Sequence, residues 1–183
     1  MSEIKAIETE YNGYRFRSRL EARWAVFFDI ASIKYLYEYQ GFVLNDSRNY
    51  LPDFYLPKFN VFVEIKSDRS HDDGKARKFA ESFTDFDKEY GGIILCYGDP
   101  MNDDLIFMTQ SECDEDGGGW YENECFFGRE LSSGEKLIIM YNDYKQRLFH
   151  NTTNVETFNK NSMYCEFSQA ERLARQTRFE DLQ

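Results

Sequence analysis

The sequence predicts an α/β domain with a mixed central β-sheet flanked by α-helices. Three observations predict it. Between Ser18 and Ser32, the residues Leu20, Trp24, Phe27, Phe28 and Ala31 recur at helical spacing and make one apolar stripe. A β-branched run at Val61 to Lys66, a helix-like stretch and a second apolar run at Gly91 to Tyr97 follow in the order of a parallel crossover. From Phe167 to Leu182 a charge-laced helical tail closes the chain. A chain of 183 residues suffices for one domain with a substantial core. That core is expected over residues 12–110, with an acidic loop and strand insertion at 101–135 and a C-terminal helix at 167–182.

Taken in order, Glu3 to Asn12 is a polar, extended arm, Asn12-Gly13 a turn, and Tyr14 to Phe16 a short strand. Ser18-x-x-Glu21 fits a capping box at the start of the first helix. Ile33 to Leu44, with the aromatic run Tyr35 to Tyr39 and an interruption at Gly41, reads as a strand region, and Asn45 to Asn49 as a turn. Tyr50 to Lys66 reads as two strands joined by a tight turn near Pro57, Lys58, Phe59 and Asn60. A second helix is expected from Asp72 to Tyr90, with Ala76, Phe79, Ala80, Phe83 and Phe86 buried and Gly91-Gly92 ending it. A strand follows at Leu105 to Thr109, then a mobile, glycine-ended acidic loop at Ser111 to Gly119. Short strands are expected at Trp120-Tyr121, Phe126-Phe127 and Lys136 to Tyr141, and a short helix with a polar loop over Asn142 to Asn161.

The chemistry gathers in the 50–66 hairpin. Side chains alternate along a strand, so Val61, Val63 and Ile65 share one face while Phe62, Glu64 and Lys66 share the other. Asp53, just after Pro52, is brought alongside by the hairpin. Two carboxylates and an ammonium on one sheet face are costly unless a charged species binds there. A divalent metal and a phosphate are such species.

Pro52-Asp53 followed by Glu64-Ile65-Lys66 resembles the PD-(D/E)XK nuclease motif of restriction-endonuclease-like folds, resolvases, and repair and transposon nucleases. Phe16 to Asp29 and Gln169 to Glu180 are similar to segments of small nucleases of phages and mobile elements. The resemblance covers roughly the first 95 residues and the last 15, and leaves 100–165 unplaced. It implies a restriction-endonuclease-like core and a magnesium-dependent, DNA-cleaving endonuclease, with manganese as a substitute metal. Asp53, Glu64, the backbone carbonyl of Ile65 and Glu21 would be the metal ligands. Lys66 would orient the attacking water or steady the transition-state charge. Asp53, Glu64, Lys66 and Glu21 are thus the catalytic candidates. Two roles stay open for Glu21, helix cap and metal ligand.

Arg15, Arg17, Arg19 and Arg23 surround the start of the first helix, where a helix N-terminus and guanidinium groups suit phosphate oxygens. They read equally as solvated partners of nearby acids. Lys75 and Lys78, early on the second helix, are candidates for the substrate backbone or for a solvated face.

Net charge of −11 argues against a simple electrostatic nucleic-acid binder. Residues 1–80 hold 13 Lys and Arg against 12 Asp and Glu, a net of +1, whereas residues 81–183 hold 9 against 21, a net of −12. Between Met101 and Glu135 stand ten acids and one base, Arg129. No helix-turn-helix, zinc finger or long basic tail supplies sequence recognition. These features point to an endonuclease guided by DNA structure, or recruited by a protein partner through 101–135, and at this size a double-strand cutter is expected to dimerise. The alternative is a non-catalytic interaction protein on a nuclease-like fold, its acidic segment mimicking nucleic acid or binding a basic protein. Cys96, Cys113, Cys125 and Cys165 form no Cys-x-x-Cys pair and read as reduced thiols. With no long apolar run and no signal-peptide core, a cytoplasmic location without membrane contact is expected, the host cytoplasm if phage-encoded.

Overall fold

In the computed structural model, which describes residues 6–82, 90–102, 104–110, 120–130, 136–140, 147–150, 154–157 and 164–181, Ser18 opens the first helix as its spacing predicts. The Ser18 hydroxyl accepts from the Glu21 N–H at 3.1 Å, satisfying one orphan donor of helix α1 (Arg19–Ile30), a cap worth about 1 kcal/mol. The helix stops because Ser32 turns left-handed, with φ 53°, and the Ile33 N–H closes on the Phe28 carbonyl at 2.7 Å. Ahead of it, strands β1 (Thr9–Tyr11) and β2 (Tyr14–Phe16) make an antiparallel hairpin. Its turn residues Asn12 and Gly13 both have positive φ, as a right-twisted two-residue turn demands. The polar arm therefore carries a strand of its own.

The central sheet is mixed, and helices flank it. Its strands are β3 (Leu36–Tyr37), β6 (Phe54–Leu56), β7 (Val61–Lys66), β8 (Gly92–Tyr97), β9 (Leu105–Gln110), β10 (Trp120–Glu130), β11 (Lys136–Met140), β12 (Arg147–His150), β13 (Asn154–Thr157) and β14 (Tyr164–Glu166). Among the described residues they lie in the order β13-β12-β11-β10-β9-β8-β7-β6-β3, with β14 on β10. A separate small hairpin joins β4 (Phe42–Val43) to β5 (Asn49–Tyr50). Strands β7 and β8 run parallel, bridged by a crossover that contains helix α2 (Lys75–Ser82). Both their faces are therefore covered, which is why both strands are apolar almost throughout.

On one face Val61, Val63, Ile65, Ile94, Cys96, Leu105 and Phe107 pack under α1 and helix α3 (Ser168–Gln176), with Trp24, Phe27 and Phe28 filling the layer. On the other, Phe62, Ile93, Leu95, Ile106 and Met108 pack under α2 and the β4–β5 hairpin. The indole N–H of Trp24 donates to the Gly98 carbonyl at 3.0 Å and ties α1 to the end of β8. Cys96 and Cys125 are free and buried, and burial pushes both thiols up.

Four expectations change. The second helix begins at Lys75 because Gly74 is left-handed, φ 72°, and the Asp72 and Asp73 carboxylates accept from the Gly74 and Lys75 N–H groups. Tyr90 is not helical, and Phe83 and Phe86 lie outside the described residues. The two short strands at 120–127 are one strand, β10, whose first half pairs with β9 and second half with β11. Its Glu122, Asn123 and Glu124 read as a break in sequence, yet pairing with Met108, Phe107 and Ile106 holds them extended. Residues 147–150 and 154–157, expected as helix and loop, pair as β12 and β13. The acidic 101–135 region is thus partly sheet, and the 111–119 loop lies outside the described residues.

Gly92 opens β8 where no side chain fits. Its φ is +143°, and a Cβ there would stand 2.5 Å from the Met108 carbonyl oxygen and 2.9 Å from the Phe107 ring. Gly92→Ala should cost about 3 kcal/mol, combining backbone strain and overpacking. Urea midpoints of the two proteins check this, and a shift under about 0.5 kcal/mol would refute the close approach.

Candidate active site

The β6–β7 hairpin turns through residues 57–60, where the Phe59 N–H meets the Leu56 carbonyl at 3.1 Å and Asn60 takes φ 55°. Its register pairs Phe54 with Val63 and Tyr55 with Phe62. One step back from Phe54, Asp53 continues the line of β6 past the end of the ladder. In place of a backbone carbonyl, its Oδ2 accepts from the Ile65 N–H at 2.7 Å. The Ile65 carbonyl faces the same side, since both groups of a ladder residue point to one neighbour. Asp53 is 3% exposed and Glu64 7%, so both carboxylates sit away from water.

Each acid already holds partners from the chain. The Arg17 guanidinium donates to Asp53 Oδ1 at 2.7 Å and also pairs with Glu38 at 2.8 Å. The Lys66 ammonium lies 2.8 Å from Glu64 Oε1 and 3.5 Å from Asp73, and the Tyr50 hydroxyl donates to Glu64 Oε2 at 3.0 Å. Burial, then the Glu64 and Glu21 charges, push the Asp53 carboxyl well above the ordinary range, against the Ile65 N–H and Arg17. Burial likewise raises Glu64, with Lys66 and Tyr50 opposing it. Burial works against the Lys66 ammonium, but Glu64 and Asp73 outweigh it and hold its pKa above the usual lysine value. Tyr50 is raised by burial and by the same carboxylates, so it stays protonated and donates.

In front of Glu64 and Lys66 opens a cavity of about 490 Å3, rimmed by Arg17, Tyr50, Asp73, Lys75 and the Phe42-Val43 strand. The structure therefore gathers Asp53, Glu64, Ile65 and Lys66, and places Arg17 and Lys75 at the mouth. Arg15 pairs with Glu8 and Lys78 with Glu81, neither lining this cavity. Arg19 and Arg23 line a different one. Glu21 caps the helix: it accepts from the Arg17 N–H at 3.1 Å, from the Ser18 hydroxyl at 2.7 Å and from the Tyr37 hydroxyl at 2.6 Å.

Among the described residues, no group of three or more His, Cys, Asp or Glu side chains is arranged to hold a metal ion. A smaller set fits one. Asp53, Glu64 and the Ile65 carbonyl offer hard oxygen donors, and magnesium uses one or two carboxylates and keeps several waters. Burial raises both carboxyl pKa values, and the Glu64 charge adds to it at Asp53; a bound cation offsets both effects.

Sequence reasoning missed Tyr50, Tyr37, Asp73 and the Arg17–Asp53 pair. Tyr50 opens the motif stretch three residues before Asp53, and Asp73 sits in the polar loop beyond Lys66, so both stood within reach of the motif. No protein-family model matches the chain, and no curated protein and no solved structure matches it.

The raised Asp53 carboxyl carries a linkage. Between the ordinary aspartate range near pH 4 and its raised folded value, the folded state binds more protons than the unfolded chain, so stability falls as pH rises through that window. Asp53→Asn should therefore be more stable than wild type at pH 7 in metal-free buffer, with the gap closing by pH 4. Urea midpoints across that range measure it, and a gap independent of pH would contradict the assignment.

Proposed function

We propose that the chain is a metal-dependent endonuclease that hydrolyses phosphodiester bonds of DNA, at a PD-(D/E)XK centre on a restriction-endonuclease-like core. One observation carries the reading: the carboxylates of Asp53 and Glu64 are both buried at one strand edge, and Glu64, with Lys66 on it, lines a cleft bordered by Arg17 and Lys75. A protein retains such an arrangement at a cost to stability, which is the mark of a working site.

Magnesium, or manganese in its place, held by Asp53, Glu64 and the Ile65 carbonyl with Glu21 behind them, would polarise the phosphate and acidify a bound water. The chain's own part follows from its hydrogen bonds. The Ile65 N–H and Tyr50 fix one oxygen each of Asp53 and Glu64, so both carboxylates are aimed before substrate arrives. Lys66 keeps its proton at neutral pH, so it acts as a cation and hydrogen-bond donor on the reacting phosphate or water and not as a base. Arg17 and Lys75 at the mouth receive flanking phosphates. The acid of the 101–135 segment would recruit a basic protein partner, and two copies of the chain would cut two strands.

One observation favours a second reading, a non-catalytic interaction protein on the same fold. Asp53 and Glu64 are already neutralised by Arg17 and Lys66, and no third metal-holding side chain joins them among the described residues. Magnesium separates the two. Binding to the folded state alone raises stability by about 2.7 kcal/mol at a free concentration of 100 Kd, and the scaffold reading expects no shift.

Purified protein with magnesium should cleave at least one of plasmid, single-stranded, flapped and four-way DNA, and chelation should stop it. Lys66→Ala should lower the rate by about 100-fold to 1,000-fold, and should also lower the urea midpoint, because it leaves the buried Glu64 carboxylate without its ammonium partner. Wild-type cleavage by Lys66→Ala would sink the assignment.

A further inference from the structure

Two residues beyond Arg17, a second cavity of about 430 Å3 opens between the start of α1 and the end of α3, lined by Arg19, Arg23, Arg175, Arg178 and Glu180. Arg19 and Arg23 are one turn apart and share a helix face. Arg175 stands in the last turn of α3 and Arg178 just past it. Four guanidinium groups meet one lining carboxylate, in a chain whose net charge is −11.

The hydrogen bonding here is incomplete. Among the described residues, the Nε–H groups of Arg19 and Arg23 are buried and find no acceptor. A buried donor left unpaired is unfavourable and rare, so the chain alone does not complete the hydrogen bonding of these two guanidinium groups. Among the described residues Arg23 and Arg178 make no ion pair, while Arg175 is 3.5 Å from Asp99. Arg19 is held by Glu180, whose carboxyl lies below the ordinary range through its own backbone N–H and the charges of Arg19 and Arg178. A carboxylate among arginines occupies the position that a tetrahedral oxyanion fits better, because guanidinium forks match phosphate oxygens two at a time.

We infer that this arginine cavity is a second phosphate site, separate from the carboxylate cleft, which takes a backbone phosphate of the nucleic acid being cut. Glu180 keeps Arg19 in place until that phosphate displaces it. The inference rests on the endonuclease reading for the identity of the polymer. Arg17 at the cleft and Arg19 at the cavity are two residues apart, at most ~7 Å of backbone, so one strand reaches both mouths within a few nucleotides at ~3.4 Å per step. It also accounts for how so acidic a chain would hold DNA: the attraction is local to the arginines.

The test is metal-free binding of short labelled duplex and single-stranded DNA, read by anisotropy over a salt series. Arg178→Gln, an exposed position, and Arg23→Gln should each weaken binding roughly tenfold. Each should also lower the slope of log affinity against log salt by about 0.9 on duplex and about 0.7 on single strands. Glu180→Gln should tighten binding. Urea midpoints confirm that each variant is folded. Wild-type affinity and slope in both Arg178→Gln and Glu180→Gln overturn the site. So does inorganic phosphate binding that depends on Arg178 while DNA binding does not, which would make it a site for a free anion. If Arg178 governs binding but magnesium brings no cleavage, the endonuclease reading falls and the phosphate site stands. Cleavage with unchanged binding in these variants has the opposite meaning, and failure of wild type to bind either DNA removes both.

Discussion

The hydrogen bond from the Ile65 N–H to the Asp53 carboxylate is the contact on which the site depends. Strand β6 begins only at Phe54, so the ladder with β7 runs out where Ile65 still has an N–H to satisfy. A buried backbone donor must find a partner, and the Asp53 side chain is it. The bond sets the height of Asp53 beside Glu64 and turns the Ile65 carbonyl to the same edge. Everything beneath serves to hold β7 still. Its parallel partner β8 is buried on both faces, α1 and α3 cover one side, and α2 with the β4–β5 hairpin covers the other.

Burying that edge has an electrostatic consequence. Asp53 and Glu64 repel each other where water cannot screen them, and Glu21 adds a third negative charge from the helix start. The chain answers with Arg17 on Asp53 and Lys66 on Glu64, and with neutral donors from Tyr50 and the backbone. Folding therefore tolerates the site without a metal, and the rim of the cleft carries Arg17 and Lys75 together with the Asp73 carboxylate. Charge is also used to join the halves of the molecule: Arg77 on α2 pairs with Asp72 and, at 2.7 Å, with Glu122 of β10. The acidic half is therefore bonded to the core through its own carboxylates as well as through the sheet.

How much was legible in advance follows the range of the interactions. Helix α1, its Ser18 cap, the 57–60 turn and the β7–α2–β8 crossover were all readable because each rests on spacing or on a few adjacent residues. The faces of β7 were readable for the same reason, since alternation fixes them. The union of β10, and the pairing of β12 with β13, were not. Their residues are polar or irregular in sequence, and they are extended because partners elsewhere in the chain complete their hydrogen bonds. In the site, Asp53, Glu64 and Lys66 lie within a hairpin and announced themselves. The arginines did not reveal their partners, because Arg17 meets Asp53 across 36 residues and Arg19 meets Glu180 across 161.

By itself, then, the amino-acid order determined the class of fold, the strand that carries the motif, and which side chains share its face, because these depend on local periodicity. Only the tertiary structure decided which arginine covers Asp53, that Glu21 caps its helix under Tyr37, and that four arginines from the two ends of the chain enclose one cavity. Those arrangements come from packing α1 against the sheet and α3 against α1, and no short stretch of sequence contains that information.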